Sequence, residues 1–148
     1  MVKKFSDTES RAWTGFIKSQ QILLEKVDEE FKINGFPPLT WYDVLLELDK
    51  VEDGRLRLNI LGKRILLSKY NVTRLVKRLE EAGLLKRESC KQDSRGVYAV
   101  ITHAGRKLRK RMWPVYYSVI KRYFLSSLNE DELTKLIECM DNIRNNID

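Results

Sequence analysis

The stretch LNILGKRILLSKYNVTRLVKRLEEAGLLKRESCKQDSRGVYAVI, residues 58–101, decides the fold of this 148-residue chain. Its first part carries a short helical pattern over Asn59–Leu66 and a second that runs from a Ser68 cap to about Ala82. Gly83 then supplies the left-handed residue that ends helices. Leu84–Glu88 and Val97–Ile101 alternate as strands around the polar turn Lys91–Gly96, which has the composition of a hairpin loop. Just upstream, Arg55-Leu56-Arg57 is too short to stand alone but suits a third strand beside that hairpin. Two helices, a turn and a β arm in this order read as a winged helix-turn-helix.

Outward from this centre the chain is mainly helical. Ser6 and Glu9 have capping-box spacing, and Trp13, Phe16, Ile17, Leu23, Leu24, Val27 and Phe31 recur at helical intervals, so a helix is expected from Asp7 to about Lys32. Asn34-Gly35-Phe36-Pro37-Pro38 breaks it. Thr40 is the expected N-cap of a second helix carrying Val44, Leu45 and Leu48. Thr102 is expected to cap a long helix to about Ser126, bent at Pro114, and an acidic Asn129–Glu132 segment opens the last helix. The expectation is a mainly α fold with a small β wing: six helices and a three-stranded antiparallel sheet. As domains, residues 1–148 form one unit, with a winged helix-turn-helix at 40–101 and dimerisation helices at 5–33 and 102–148. The end helices carry more apolar stripe than one small core can cover, so burial against a second copy is expected.

Charge is placed on the same centre. From Arg55 to Arg111 there are 17 Lys/Arg against 4 Asp/Glu, a net of +13, while the rest of the chain has 11 against 17, a net of −6. A basic centre between acidic ends is the footprint of a polyanion partner, and duplex nucleic acid fits a helix-turn-helix. Leu61, Ile65, Leu67, Val72 and Leu75 are placed to pack the two helices together, with Gly62 small where they approach. Leu66 stands where glycine usually fills such a turn. Lys69, Tyr70, Asn71, Thr73, Arg74 and Lys77 then face outward as candidate DNA contacts, with Arg78 at the edge and Ser68, the cap, placed to reach a phosphate. Arg95 at the hairpin tip is placed for the minor groove, and Asp93 is expected to brace the tip by pairing with Arg87. Most of Arg106–Arg111 covers every helix face and is expected to be solvated.

These residues together carry a resemblance. The order Leu39-Thr40, Ser68–Leu79, Glu80-Glu81-Ala82-Gly83-Leu84-Leu85-Lys86-Arg87, Asp93-Ser94-Arg95-Gly96 and Ile101-Thr102-His103-Ala104-Gly105-Arg106 resembles the MarR family of winged helix-turn-helix transcription regulators. The resemblance implies a cytoplasmic homodimer, joined through N- and C-terminal helices, that binds double-stranded DNA at a palindromic operator. It implies a repressor, with Arg95 as groove contact, Asp93 as its brace, and a small aromatic or anionic effector. Trp13, Trp41, Trp113 and Tyr116 are the candidate effector contacts, although helically spaced aromatics also serve as core. The alternative is a winged-helix module for protein or RNA without operator specificity.

Other classes lack support in the residues. No apolar run approaches the roughly 18–20 residues of a membrane span, and Met1–Asp7 lacks the apolar core of a secretory signal. Cys90 lies among positive charges, which leaves a redox role open, while Cys139 is expected to pack. One histidine, His103, and no nucleophile–base set or metal-ligand spacing leave no basis for an enzyme, cofactor or metal.

Overall fold

Helices in this chain start and stop at short hydrogen-bonded motifs, most of them local in sequence. The computed structural model describes residues 2–65, 69–89 and 96–147, with the backbone alone at Lys69 and Tyr70. Among the described residues the elements are α1 (Asp7–Ile33), α2 (Leu39–Asp49), β1 (Arg55–Arg57), α3 (Leu58–Arg64), α4 (Lys69–Glu81), β2 (Leu85–Ser89), β3 (Val97–Ile101), α5 (His103–Tyr123), a 3-10 turn at Leu125–Ser127, and α6 (Glu130–Ile147). The six helices and the three-stranded sheet agree with the sequence reading.

The capping box of α1 forms as expected: Glu9 N–H donates to Ser6 Oγ at 3.0 Å and Ser6 N–H donates to the Glu9 carboxylate at 2.7 Å. Those bonds, the backbone one first, hold the Glu9 carboxyl below its ordinary range. α1 ends on Gly35 at φ +73°, with Phe36 N–H donating to Phe31 O at 2.8 Å and Gly35 N–H to Lys32 O at 3.1 Å. This pair of hydrogen bonds across a left-handed glycine is a Schellman motif, and its apolar contact is the edge of one ring on the other between Phe31 and Phe36. α4 ends in the same way on Gly83 at φ +77°, with Leu84 N–H to Leu79 O and Gly83 N–H to Glu80 O.

The start of α2 differs from expectation. Pro38, not Thr40, is the N-cap residue, because its extended backbone (φ −61°, ψ 160°) presents its carbonyl to Trp41 N–H at 3.0 Å. Thr40 lies inside the first turn, and the orphan Leu39 N–H is taken by Asp28 Oδ1 at 2.7 Å, from a residue eleven positions earlier. The fifth helix also ends short of Ser126, in the 3-10 turn, where the Ser127 hydroxyl donates to Tyr123 O at 3.0 Å. α6 opens on a reciprocal cap: Glu132 N–H to Asn129 Oδ1 at 2.8 Å and Asn129 N–H to the Glu132 carboxylate at 3.0 Å.

The sheet has the order β1-β3-β2, antiparallel throughout, with Leu56 opposite Ala99 and Ala99 opposite Arg87. Leu56, Ala99, Leu85 and Ile101 point to the buried face; Tyr98, between Arg57 and Glu88 in register, lies on the other. On that outer face Arg55 and Arg57 stack over the Tyr98 ring at 5.0 and 5.8 Å, and Arg55 pairs with Glu88.

The chain divides into two compact units, Met1–Val27 with Tyr117–Asp148, and Asp28–Tyr116. The second contains the main core: Val44, Leu45 and Leu48 of α2, Leu61 of α3, Val76 and Leu79 of α4, and the inner sheet residues. In the first unit, Val27 and Val119 are the buried hydrophobics among the described residues, while Trp13, Phe16, Ile17, Tyr123, Ile137 and Ile143 remain exposed. Cys139 is exposed as well, contrary to expectation, because it falls beside the arc of Leu133, Leu136 and Met140. Cys90, Leu66 and Leu67 lie outside the described residues.

One carboxyl in the second unit is disfavoured as an anion. Asp43 on α2 is half-buried, and burial pushes it up to about 6; Glu47 and Asp28 add to this and Lys50 offsets part. A carboxyl raised in the folded state stabilises the fold only while protonated, so its contribution is lost as pH rises through about 6. Asp43→Asn is expected to stabilise the chain by about 1–2 kcal/mol at neutral pH, after discounting for solvent screening of a half-buried group. In thermal melts the gain should disappear near the ordinary carboxylate pKa; a gain unchanged in acid contradicts the assignment.

Candidate nucleic-acid interface

The sequence of α4 places its two faces in different media. Val72, Leu75, Val76 and Leu79 are buried against the core, and Asn71, Thr73, Arg74, Lys77 and Arg78 are exposed. At 3.6 residues per turn, Arg74 and Lys77 stand opposite the buried stripe, with Asn71 and Arg78 on one flank and Thr73 on the other. The α3 and α4 pair is closed by Leu61, Ile65, Val72 and Leu75, all buried as the sequence indicated. Gly62 fits its expected role, since a Cβ there would lie 3.3 Å from Val72 Cγ2.

Two clefts of about 260 Å³ border this helix. One, on the α2 side, is lined by Thr40, Asn71, Arg74, Leu75 and Arg78. The other, on the α3 side, is lined by Leu58, Asn59, Gly62, Lys63, Val72 and Thr73. Of the sequence-predicted contacts, Asn71, Thr73, Arg74 and Lys77 therefore share one solvent-facing surface. Lys69 and Tyr70 begin the same helix by their backbone; Ser68, Asp93 and Arg95 lie outside the described residues.

A frame fixes α4 relative to the sheet and α5. Arg87 stands on the helix-facing side of β2, beyond the core, and meets Glu80 in the last turn of α4. Arg87 N–H and Nε donate to the two Glu80 oxygens at 2.9 Å each, and its Nη2 lies 2.9 Å from Oε1. These bonds, with the backbone one foremost, hold the Glu80 carboxyl below its ordinary range. Glu80 was not singled out from sequence; the signal was an acid and an arginine flanking the Gly83 stop. Thr102 makes the second tie. Its hydroxyl donates to Gly83 O at 2.7 Å and accepts Gly105 N–H at 3.1 Å, while its own N–H donates to Leu84 O at 3.1 Å. A Cβ at Gly105 would overlap the Leu84 carbonyl, so glycine is required where α5 crosses the end of α4.

The basic centre is divided between frame and free surface. Arg106 and Arg109 both pair with Asp49 at the end of α2, and Arg111 covers the Phe36 ring at 5.5 Å. Arg55 and Arg87 are held by Glu88 and Glu80. Lys63, Arg64, Arg74, Lys77 and Arg78 are exposed and have no ion pair among the described residues. Lys86 on β2 and Lys107 and Lys110 on α5 are likewise exposed without an ion pair among the described residues, so the free cations of the basic centre comprise five on α3 and α4 and three elsewhere.

The candidate effector aromatics are only partly brought together. Trp113 and Tyr116 lie 6.0 Å apart between ring centroids, and Tyr116 stacks on Tyr42 at 4.9 Å. Trp41 instead packs against the winged-helix core, and Trp13 belongs to the other unit. The Tyr42 hydroxyl is buried, and that burial pushes it up to about 12, with Arg109 opposing the shift. Among the described residues, no group of His, Cys, Asp or Glu is placed to hold a metal. No helix among them is long and apolar enough to cross a membrane.

Comparison with known proteins places this architecture in a family. A MarR family model matches residues 34–96. The chain is 34% identical over 122 residues to an uncharacterized HTH-type transcriptional regulator, YkoM, from Bacillus subtilis, covering 82% of this chain and 77% of that one. Its fold is similar to that of AbsC, a MarR family transcriptional regulator from Streptomyces coelicolor, with a TM-score of 0.91, 26% identity, and coverage of 99% and 98%. It is also similar to Sco3205, a MarR family regulator from the same organism solved in complex with DNA, with a TM-score of 0.90, 24% identity, and coverage of 97% and 90%. The chain belongs to the MarR family of winged helix-turn-helix transcription regulators.

The tie between Glu80 and Arg87 has a measurable consequence. Glu80→Ala removes the anchor of β2 on the recognition helix, and duplex affinity is expected to fall several-fold by fluorescence anisotropy with unchanged helix content. Affinity equal to the parent would show that the hairpin holds its angle without Glu80.

Proposed function

We propose that the chain acts as a homodimer that places two copies of α4 in successive major grooves of a palindromic operator and represses transcription there. The observation that carries the reading is the exposed polar and basic face of α4, with Arg74 and Lys77 outward and a rigid frame behind it. Arg and Asn are side chains that pair bidentately with base edges in that groove, so Arg74 and Asn71 are assigned to sequence reading. Ser68, Lys69, Tyr70, Thr73 and Lys77 complete the contact set, and Arg95, braced by Asp93, is assigned to the minor groove.

Dimerisation is supported by the unit formed by Met1–Val27 and Tyr117–Asp148. Its exposed Trp13, Phe16 and Ile17 on α1 and Ile137, Ile143 and Ile147 on α6 are large apolar side chains that water disfavours. Burying them on a second copy stabilises at roughly 25 cal/mol per Å². A two-fold dimer then matches half-sites about one helical turn apart. The same reading places the protein in the cytoplasm, with the DNA, and gives it no catalytic role. Effector control by a small aromatic or anionic molecule is assigned to Trp113 and Tyr116 beside the buried Tyr42 hydroxyl, with Trp41 and Trp13 as further candidates; what supports it is that ring cluster near Arg109.

Arg74→Ala is expected to change which duplexes are recovered from a random pool, by about 10–100-fold at the base pair that Arg74 contacts. An equal loss on every sequence would move Arg74 from base to phosphate. Sedimentation at micromolar concentration is expected to show a dimer, and a monomer would defeat the two-fold reading.

A further inference from the structure

The cleft on the α2 side of the recognition helix holds two polar residues, Arg78 and Thr40, that the sequence-reading role does not explain. Its walls are Thr40, Asn71, Arg74, Leu75 and Arg78, with two guanidinium groups and no carboxylate. Neither arginine has an ion pair among the described residues, although Glu80 and Glu81 stand on the same helix. Such a pocket is electropositive and open to an anion.

The position of Arg78 on the helix says which anion. At about 100° per residue, Arg78 is turned about 100° from Lys77, away from the outward line and toward α2. With Arg74 and Lys77 directed at base edges, a side chain on that flank in the later turns of α4, past the N-terminal turn that carries Asn71, points at the wall of the groove. A helix with its side chains is about 10–12 Å across and the major groove about 12 Å wide, so the flanks of an inserted helix face the phosphates. We propose that this cleft is a seat for one phosphodiester of the strand bordering the groove, gripped by the Arg78 guanidinium and the Thr40 hydroxyl, with Asn71 forming the wall between them. The assignment rests on the duplex-binding reading above. It gives Arg78 and Thr40 a part in affinity and register, and leaves base selection to Arg74 and Asn71.

A phosphate contact and a base contact leave different marks. Neutralising one phosphate with a cation steepens the salt dependence of binding by about 0.9 in the log–log slope, whatever the sequence. The experiment measures anisotropy of the full chain and its variants on a selected operator and on a random-sequence duplex, at salt from about 50 to 200 mM. Arg78→Ala is expected to weaken both complexes by a similar factor, about tenfold, and to lower the slope by about one unit. Arg78→Lys is expected to keep the slope, because the charge remains. Thr40→Val is expected to weaken both duplexes by a smaller common factor at unchanged slope. An unchanged slope in Arg78→Ala, with circular dichroism like that of the parent, overturns the seat. A loss confined to the operator overturns it as well, since Arg78 would then read a base. If the parent chain itself shows no salt-dependent duplex binding, the duplex reading fails and the seat with it; a normal parent slope separates the two failures.

Discussion

The recognition helix is held by hydrogen bonds made at its C-terminal end, around Thr102. Leu79 and Glu80 give their carbonyls to the left-handed turn at Gly83, and Gly83 and Leu84 give theirs to the hydroxyl and N–H of Thr102. The same hydroxyl caps α5 through Gly105 N–H, and Ile101 N–H donates to Gly54 O at 2.9 Å. The end of α4, the end of β3, the turn before β1 and the start of α5 thus share one knot. Gly105 is needed there because any side chain would strike the Leu84 carbonyl. Moving α5 relative to α4 breaks this set of bonds, so the outward face of α4 is presented at a fixed angle.

Around that knot, charge does two jobs. Asp49 draws Arg106 and Arg109 of α5 onto the end of α2, and Glu80 and Glu88 hold Arg87 and Arg55 on the sheet. These pairs are partly exposed and contribute orientation more than stability. Their effect is selective: they withdraw the cations of the frame from competition and leave Arg74, Lys77 and Arg78 unpaired among the described residues. Of the exposed cations left without an ion pair among the described residues, Arg74, Lys77 and Arg78 share the outward half of α4.

Local features of the fold were legible in the sequence because their causes are local. Ser6 with Glu9, Gly83 after an amphipathic run, and the alternation of Arg55-Leu56-Arg57 each specify their geometry within a few residues. What the sequence did not show depends on distant partners. Asp28 caps α2 from eleven residues away, Asp49 holds arginines 57 and 60 positions later, and Glu80 reaches Arg87 across a turn. Thr40 misled because Pro38, two residues earlier, is the N-cap and Asp28 takes the Leu39 N–H, which leaves Thr40 inside the first turn and among the residues lining the cleft beside α4. Within the site, the outward face of α4 was readable from helical period alone. The division of that face into centre and flanks needed α2 and α3 in place.

In the proposed complex, two copies of this basic helix lie across adjacent turns of a duplex. Selection of bound fragments from a random double-stranded pool by the full chain tests it most directly. An enriched inverted repeat whose half-sites are about one helical turn apart is expected. Recovery of no sequence, or of a lone half-site with no symmetric mate, would contradict it.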